Sequence, residues 1–159
     1  MPIFDAGVRM LSNRMPKVIS PQTHAIIDYA TAASFFLMGA YLWRRNRRAA
    51  VASLICGAAE VGTAAVTDYP GGVRPYISFE QHGKIDSMMS GIVTTMPNML
   101  FFANHPSAQF FRGQGVAMAA ATGMTDFEAL PSSRRQRRDL EGQRNPADRD
   151  CIQQAPCLV

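Results

Sequence analysis

Cysteine is scarce in this chain and tryptophan occurs once: Cys56, Cys151 and Cys157 are the only thiols among 159 residues. An odd count without metal-type spacing supports neither a disulfide framework nor a choice of compartment. Also missing are a nucleophile–base pair, a glycine-rich phosphate loop, a CxxC pair and a dinucleotide fingerprint. Gly113 and Gly115, a lone G-x-G beside Arg112, do not make one. The expectation is therefore a protein that is not an enzyme. A secretory leader is not expected either, since residues 1–20 have no continuous apolar core and no small-residue cleavage site. No aromatic residues interleave the arginine clusters, so no nucleic-acid partner is expected.

What is present is segregated. Hydrophobic residues make up 47% and mean hydropathy is −0.05, values that suit a water-soluble protein when read as averages. Charge, however, gathers in residues 1–17, in Arg44–Arg48 and after Ser132, whereas 26–43, 49–66 and 85–103 hold very little of it. Each of those runs approaches the roughly 20 residues that cross a bilayer core. Arginines beside apolar runs read as membrane-flanking charge, which accounts for the net charge of +4. The expectation is a multi-pass protein of a bacterial inner membrane, with the lipid bilayer as its first partner. A membrane-protein partner or a second copy of the chain would be the next.

The chain also repeats itself. Ser20–Asp28 (S-P-Q-T-H-A-I-I-D) returns as Ser78–Asp86 (S-F-E-Q-H-G-K-I-D), an offset of 58 residues. The same offset lays Thr67-Asp68-Tyr69 over Thr125-Asp126-Phe127, and the ungapped overlay contains twelve identities. Two of the only three histidines align, each with an Asp four residues on. The pattern predicts an all-α fold: a four-helix transmembrane bundle built from two parallel helical-hairpin repeats, related by a pseudo-two-fold axis along the membrane normal.

The expected division is a residue 1–19 arm, repeat 1 over 20–77, repeat 2 over 78–130 and a disordered basic tail over 131–159. In the arm, Phe4, Val8, Leu11, Met15 and Val18 fit either an amphipathic surface helix or a loose segment. Pro21 opens the first helix behind Ser20 as its cap, and Tyr41 and Trp43 close it at headgroup level. The charged turn Arg44–Arg48 leads to a second helix over 49–67, which Pro70-Gly71-Gly72 ends. A third helix is expected over 81–102, kinked at Pro97, and a fourth over 109–127 after the turn 104–107. The tail is rich in Arg, Asp, Gln, Pro and Asn and poor in apolar residues.

The repeat brings His24, Asp28, Asp68, His82, Asp86 and Asp126 to one end of the bundle. Residues four apart share a helix face, so each His lies one turn from its Asp. His24, Asp28, His82 and Asp86 could hold a divalent metal ion, or titrate as a cluster near neutral pH. They could equally be structural, with the imidazoles bonded to Asp68 or Asp126 at the end of the paired helix. In the second helix Ser53, Cys56, Glu60, Thr63 and Thr67 form one stripe facing the interior. Glu60 stands out, because a carboxylate at that depth needs a partner or a proton. Glu60, Asp68 and Asp126 are thus candidates for a proton, ion or interhelical polar cluster. Ser90, Thr94 and Asn98 continue a polar line on the third helix, as a track into the membrane or as hydrogen-bonding glue.

H-A-I-I-D-Y, T-D-Y-P-G-G and I-S-F-E-Q-H-G-K-I-D, in that order, resemble small bacterial four-helix membrane proteins of the SPW-repeat-like kind. The likeness covers Ser20 to Phe127; Ser20-Pro21-Gln22 keeps two letters of the name-giving triplet and lacks its Trp. The resemblance implies the fold and no particular chemistry. Two functions are expected: a non-catalytic scaffold or accessory protein, and alternatively a metal-binding or proton- or ion-handling protein using the duplicated His/Asp cluster.

Overall fold

The computed structural model describes residues 16–130, so the expected N-terminal arm (all but its last residues) and the tail lie outside the described residues. It contains four helices: α1 (Pro21–Leu42), α2 (Arg47–Ala65), α3 (Phe79–Met99) and α4 (Ala108–Met124). α1 packs chiefly on α2 and α3 on α4, so the chain forms two antiparallel hairpins.

Helix starts follow from their caps. Ser20 precedes α1 with its Oγ accepting from the Thr23 backbone N–H, and Pro21 occupies the first turn. Ser78 repeats this before α3 and adds a capping box with Gln81, which starts that helix at Phe79, two residues before the sequence reading placed it. Asn46 Oδ1 accepts from Ala49 N–H and starts α2 at Arg47, so two arginines belong to its first turn rather than to the connecting loop. Pro97 lies in the last turn of α3, at the point where the helix is about to end. Beyond it Phe101 adopts φ +59°, closing the helix in a conformation usually given to glycine, at a cost of roughly 1–2 kcal/mol.

Two short strands were not anticipated. Thr67–Asp68 (β1) pairs in parallel with Ile77–Ser78 (β2), in the register Thr67↔Ile77 and Asp68↔Ser78. Ile19 forms a parallel bridge with Thr125, which is the same pairing displaced by 58 at both partners. Each hairpin thus ends in extended backbone clipped to the segment that opens the other one.

Within each hairpin the helices meet at a glycine. Ideal Cβ positions built on Gly57 and Gly115 fall 3.2 Å from Ala32 O and 2.7 Å from Ser90 O, and both pairs are again related by 58 residues. Between hairpins, α1 and α4 touch through Gln114 with Thr31 and Ser34, and α2 and α3 through a Cys56–Met96 sulfur contact of 3.7 Å. Phe35, Val93, Phe102 and Phe111 fill the half of the interior nearer the two turns.

Polarity is partly inverted. Buried positions include His24, Asp28, Thr31, Ser53, Glu60, His82, Asp86 and Ser90, while Ile26, Leu37, Val51, Ile55, Met88, Ile92 and Val116 face outward. Among the described residues α1 alone is both long and apolar enough to cross a membrane. This corrects the reading of three comparable runs. Glu60 and two arginines dilute α2, Glu80, Lys84 and Asp86 charge the opening turns of α3, and α4 has only 17 residues.

Candidate functional site

The four residues singled out from the repeat converge. One donor atom from each of His24, Asp28, His82 and Asp86 lies within 4.8 Å of the others, and all four residues are buried. His24 and Asp28 come from the first two turns of α1, and His82 and Asp86 from those of α3. The rings of His24 and His82 sit edge to face, with centroids 5.3 Å apart.

Each imidazole is held from behind by a threonine. Thr125 Oγ1 is 2.8 Å from His24 Nδ1, and Thr67 Oγ1 is 2.8 Å from His82 Nδ1. The threonine hydroxyls donate one turn back along their own helices, Thr67 to Thr63 O at 2.6 Å and Thr125 to Ala121 O at 2.7 Å. A hydroxyl has one proton to give, so each threonine oxygen accepts from the imidazole. Both rings therefore carry Nδ1–H, an assignment made from the hydrogen-bond network, and both direct Nε2 at the carboxylates.

Asp86 Oδ2 lies 3.0 Å from both Nε2 atoms. Asp28 places Oδ1 3.4 Å from His24 Nε2 and Oδ2 3.3 Å from His82 Nε2. Tyr69 donates its hydroxyl to Asp28 Oδ2 at 2.8 Å. Burial, and then the neighbouring Asp28 carboxylate, hold the Tyr69 phenol well above its ordinary range, so it remains a donor. Its counterpart in the second hairpin is Phe127, which has no hydroxyl. Tyr69 lies tilted against His82 with ring centroids 5.4 Å apart, and Phe127 meets His24 edge-on at 5.1 Å.

The two imidazoles differ in one respect. His24 Nε2 makes an aligned hydrogen bond to Asp86. His82 Nε2 has oxygens at 3.0 and 3.3 Å yet makes no aligned hydrogen bond, although it is fully buried. Distance alone would suggest an ion pair there, but a hydrogen bond also needs direction.

Beside the cluster is a cavity of about 10 Å³, lined by His24, Asp28, Thr31, Glu60, Asp86 and Met118, with Ile27, Ala121 and Thr122 completing it. That is about the space one water-sized body needs. Glu60 and Met118 are related by 58 residues, so the two hairpins present a carboxyl and a thioether to the same space. Glu60 is 4% exposed and makes no hydrogen bond among the described residues. It lies about 10 Å below Thr67 along α2.

Asp68 and Asp126 do not join the donor set. Asp68 pairs through its backbone with Ser78, while Asp126 is exposed and accepts from the Glu128 backbone N–H. The threonines one position earlier take the role that the sequence reading gave them, because the extended backbone after each helix turns alternate residues inward. The identity Thr67/Thr125 was the signal for this. The polar line on α3 also dissolves: Ser90 and Thr94 bond back to their own helix, and Asn98 is exposed.

No protein-family model, curated protein or solved structure matches this chain.

Proposed function

We propose that the protein is a non-catalytic integral membrane protein whose two parallel hairpin repeats clasp one divalent metal ion, of the zinc class, between His24, Asp28, His82 and Asp86. The observation that carries the metal is the pair of threonine-fixed tautomers. A neutral ring with Nδ1–H turns a lone pair, not a proton, toward carboxylate oxygens 3.0–3.4 Å away. Lone pair facing anion is repulsive, and a dication among the four groups would turn that repulsion into ligation. Bonds of about 2.0–2.2 Å in a tetrahedron separate ligand atoms by about 3.3–3.6 Å, near the 3.0–3.4 Å between the imidazole nitrogens and the carboxylate oxygens. Two imidazoles and two carboxylates suit zinc and its first-row neighbours, and the carboxylates neutralise a dication. The unaligned His82 Nε2 fits a lone pair aimed at a shared centre.

Membrane placement is supported by the outward apolar residues on all four helices and the polar interior, an arrangement that water penalises and lipid favours. Six separate features recur at an offset of 58 residues: the serine caps, strand bridges, glycine contacts, threonine–histidine bonds, aromatic–histidine contacts and carboxylate pairs. That recurrence supports duplication of an ancestral hairpin.

The decisive measurement for the metal is elemental analysis and zinc titration of purified protein. One zinc per chain is expected; retention of none, with no calorimetric binding, rejects the metal. Thr67→Val and Thr125→Val should each weaken zinc binding about 10–100-fold by releasing an imidazole from its tautomer, with the helical signal unchanged. For the membrane reading, the protein should stay in the pellet after alkaline carbonate and leave it only with detergent. Release by carbonate alone would reject that placement.

A second reading has one observation of its own. The aligned His24–Asp86 hydrogen bond suits a protonated imidazole, so two protons could replace the metal and the cluster would be the ionic clasp of a scaffold. That protein would bind no zinc, and chelators would leave its melting temperature unchanged.

A further inference from the structure

The end of the bundle remote from the histidines has a different chemistry. It holds Arg44, Arg45, Arg47 and Arg48 in and beside the first turn, and Arg112 and His105 at the second. The described carboxylates, Asp28, Glu60, Asp68, Glu80, Asp86, Asp126 and Glu128, all belong to the opposite half. Five guanidinium groups thus share an end with no acid among the described residues to balance them. Two are parked on aromatic rings: Arg45 over Tyr41 at 3.9 Å and Arg47 over Trp43 at 4.3 Å. Arg44 and Arg48 have no partner among the described residues.

Between the two turns lies a cleft of about 670 Å³, lined by Asn46, Arg48, Asn98, Phe101, Asn104 and His105 among others. Its rim is apolar in a way that folding alone does not favour. Phe101 is 85% exposed and sits at φ +59°, with Met99 and Leu100 exposed beside it. An unfavourable backbone conformation that presents a bare aromatic ring to the surroundings is the kind of feature retained for binding.

We propose that this cleft binds the headgroup of an anionic phospholipid, with Arg48 of its lining pairing to the phosphate, Arg44 in the adjoining turn adding to the positive field, and Phe101, followed in the lining by Phe102, lying along the start of the acyl chains. Guanidinium groups match phosphate geometry through paired N–H donors. The asparagine amides supply neutral donors for glycerol or phosphate oxygens. Apolar residues flanking unbalanced cations fit a ligand that is itself anionic at one end and hydrocarbon at the other, which a free phosphate is not. The source of the ligand rests on the membrane placement proposed above, but the site is independent of the metal centre.

The chain's single tryptophan, Trp43, lies at this end and reports on it. Full-length protein in maltoside micelles is titrated with dioctanoyl phosphatidylglycerol, with dioctanoyl phosphatidylcholine and with inorganic phosphate, following Trp43 emission. A saturable change with phosphatidylglycerol alone is expected. The double variant Arg44→Gln/Arg48→Gln should weaken it at least tenfold, while Lys84→Gln at the opposite end leaves it unchanged. Equal responses to the two lipids would show apolar adsorption without headgroup recognition and overturn the proposal. An equal response to inorganic phosphate would make this a free-anion site and also overturn it, as would undiminished binding by the arginine variant. Zinc content and carbonate extraction, measured on the same preparation, separate failure of this site from failure of the metal or membrane reading.

Discussion

Replacing His24 and His82 together with glutamine should abolish zinc binding, taking the metal content from one per chain to none. Two of four ligands are lost, and the remaining pair, Asp28 and Asp86, cannot hold a dication with zinc's preference for nitrogen. A ligand that binds only the folded state stabilises it in proportion to the logarithm of its concentration, about 2.7 kcal/mol at 100 times its Kd. A chelator should therefore lower the melting temperature of the natural protein and leave that of the variant unmoved. Glutamine rather than alanine keeps a donor and acceptor at a position that is 1% exposed, so that the loss reads on the metal rather than on a cavity. If the natural protein ignores the chelator as well, the clasp is made of protons and the scaffold reading stands.

The second large effect is on stability and depends on two glycines two residues apart. A methyl group on Gly115 would lie 2.1 Å from Thr94 Oγ1 and 2.7 Å from Ser90 O, closer than real contacts allow. Thr94 can rotate away, but the Ser90 carbonyl belongs to the backbone of α3, so the two helices must separate. Gly115→Ala should cost about 1–3 kcal/mol, the usual range for overpacking. Gly113, two residues earlier and so turned to about the opposite face of the helix, has nothing within 4 Å of such a methyl. Gly113→Ala should be neutral or stabilise by up to about 1 kcal/mol, because alanine is the better helix former. Thermal unfolding of the two variants side by side checks this; an unaffected Gly115→Ala would mean that α3 and α4 do not pack as described.

The site was legible in part for a definite reason. His24/Asp28 and His82/Asp86 are local pairs, four apart at the start of a capped helix, so helical geometry alone puts each pair on one face. Thr67 and Thr125 are different. Each serves the imidazole of the other hairpin, through contacts 15 and 101 residues apart in the chain, and no local spacing encodes that. The aspartates beside them drew the assignment because carboxylates are the usual partners of histidine. Asp126 instead faces outward, where the strand-like backbone turns it. The bond from Tyr69 to Asp28 was hidden for the same reason, since it crosses from the segment just after β1 to the opening turns of α1.

Membrane placement divides along similar lines. Composition along the chain marks three apolar runs, but α1 alone is long and apolar enough once helix ends are placed by their caps. Which face of each helix looks outward is a packing outcome, and it is there that apolar surface collects.

By itself, the order of residues determined four helices, their caps and turns, and the recurrence at an offset of 58, because caps, prolines and one-turn spacing act within a few residues. Only the tertiary structure decided that the two imidazoles share one pair of carboxylates, that threonines fix their tautomers, and that Glu60 meets Met118 across a small cavity. Those contacts join segments far apart in sequence, and they exist only once the two hairpins have closed on each other.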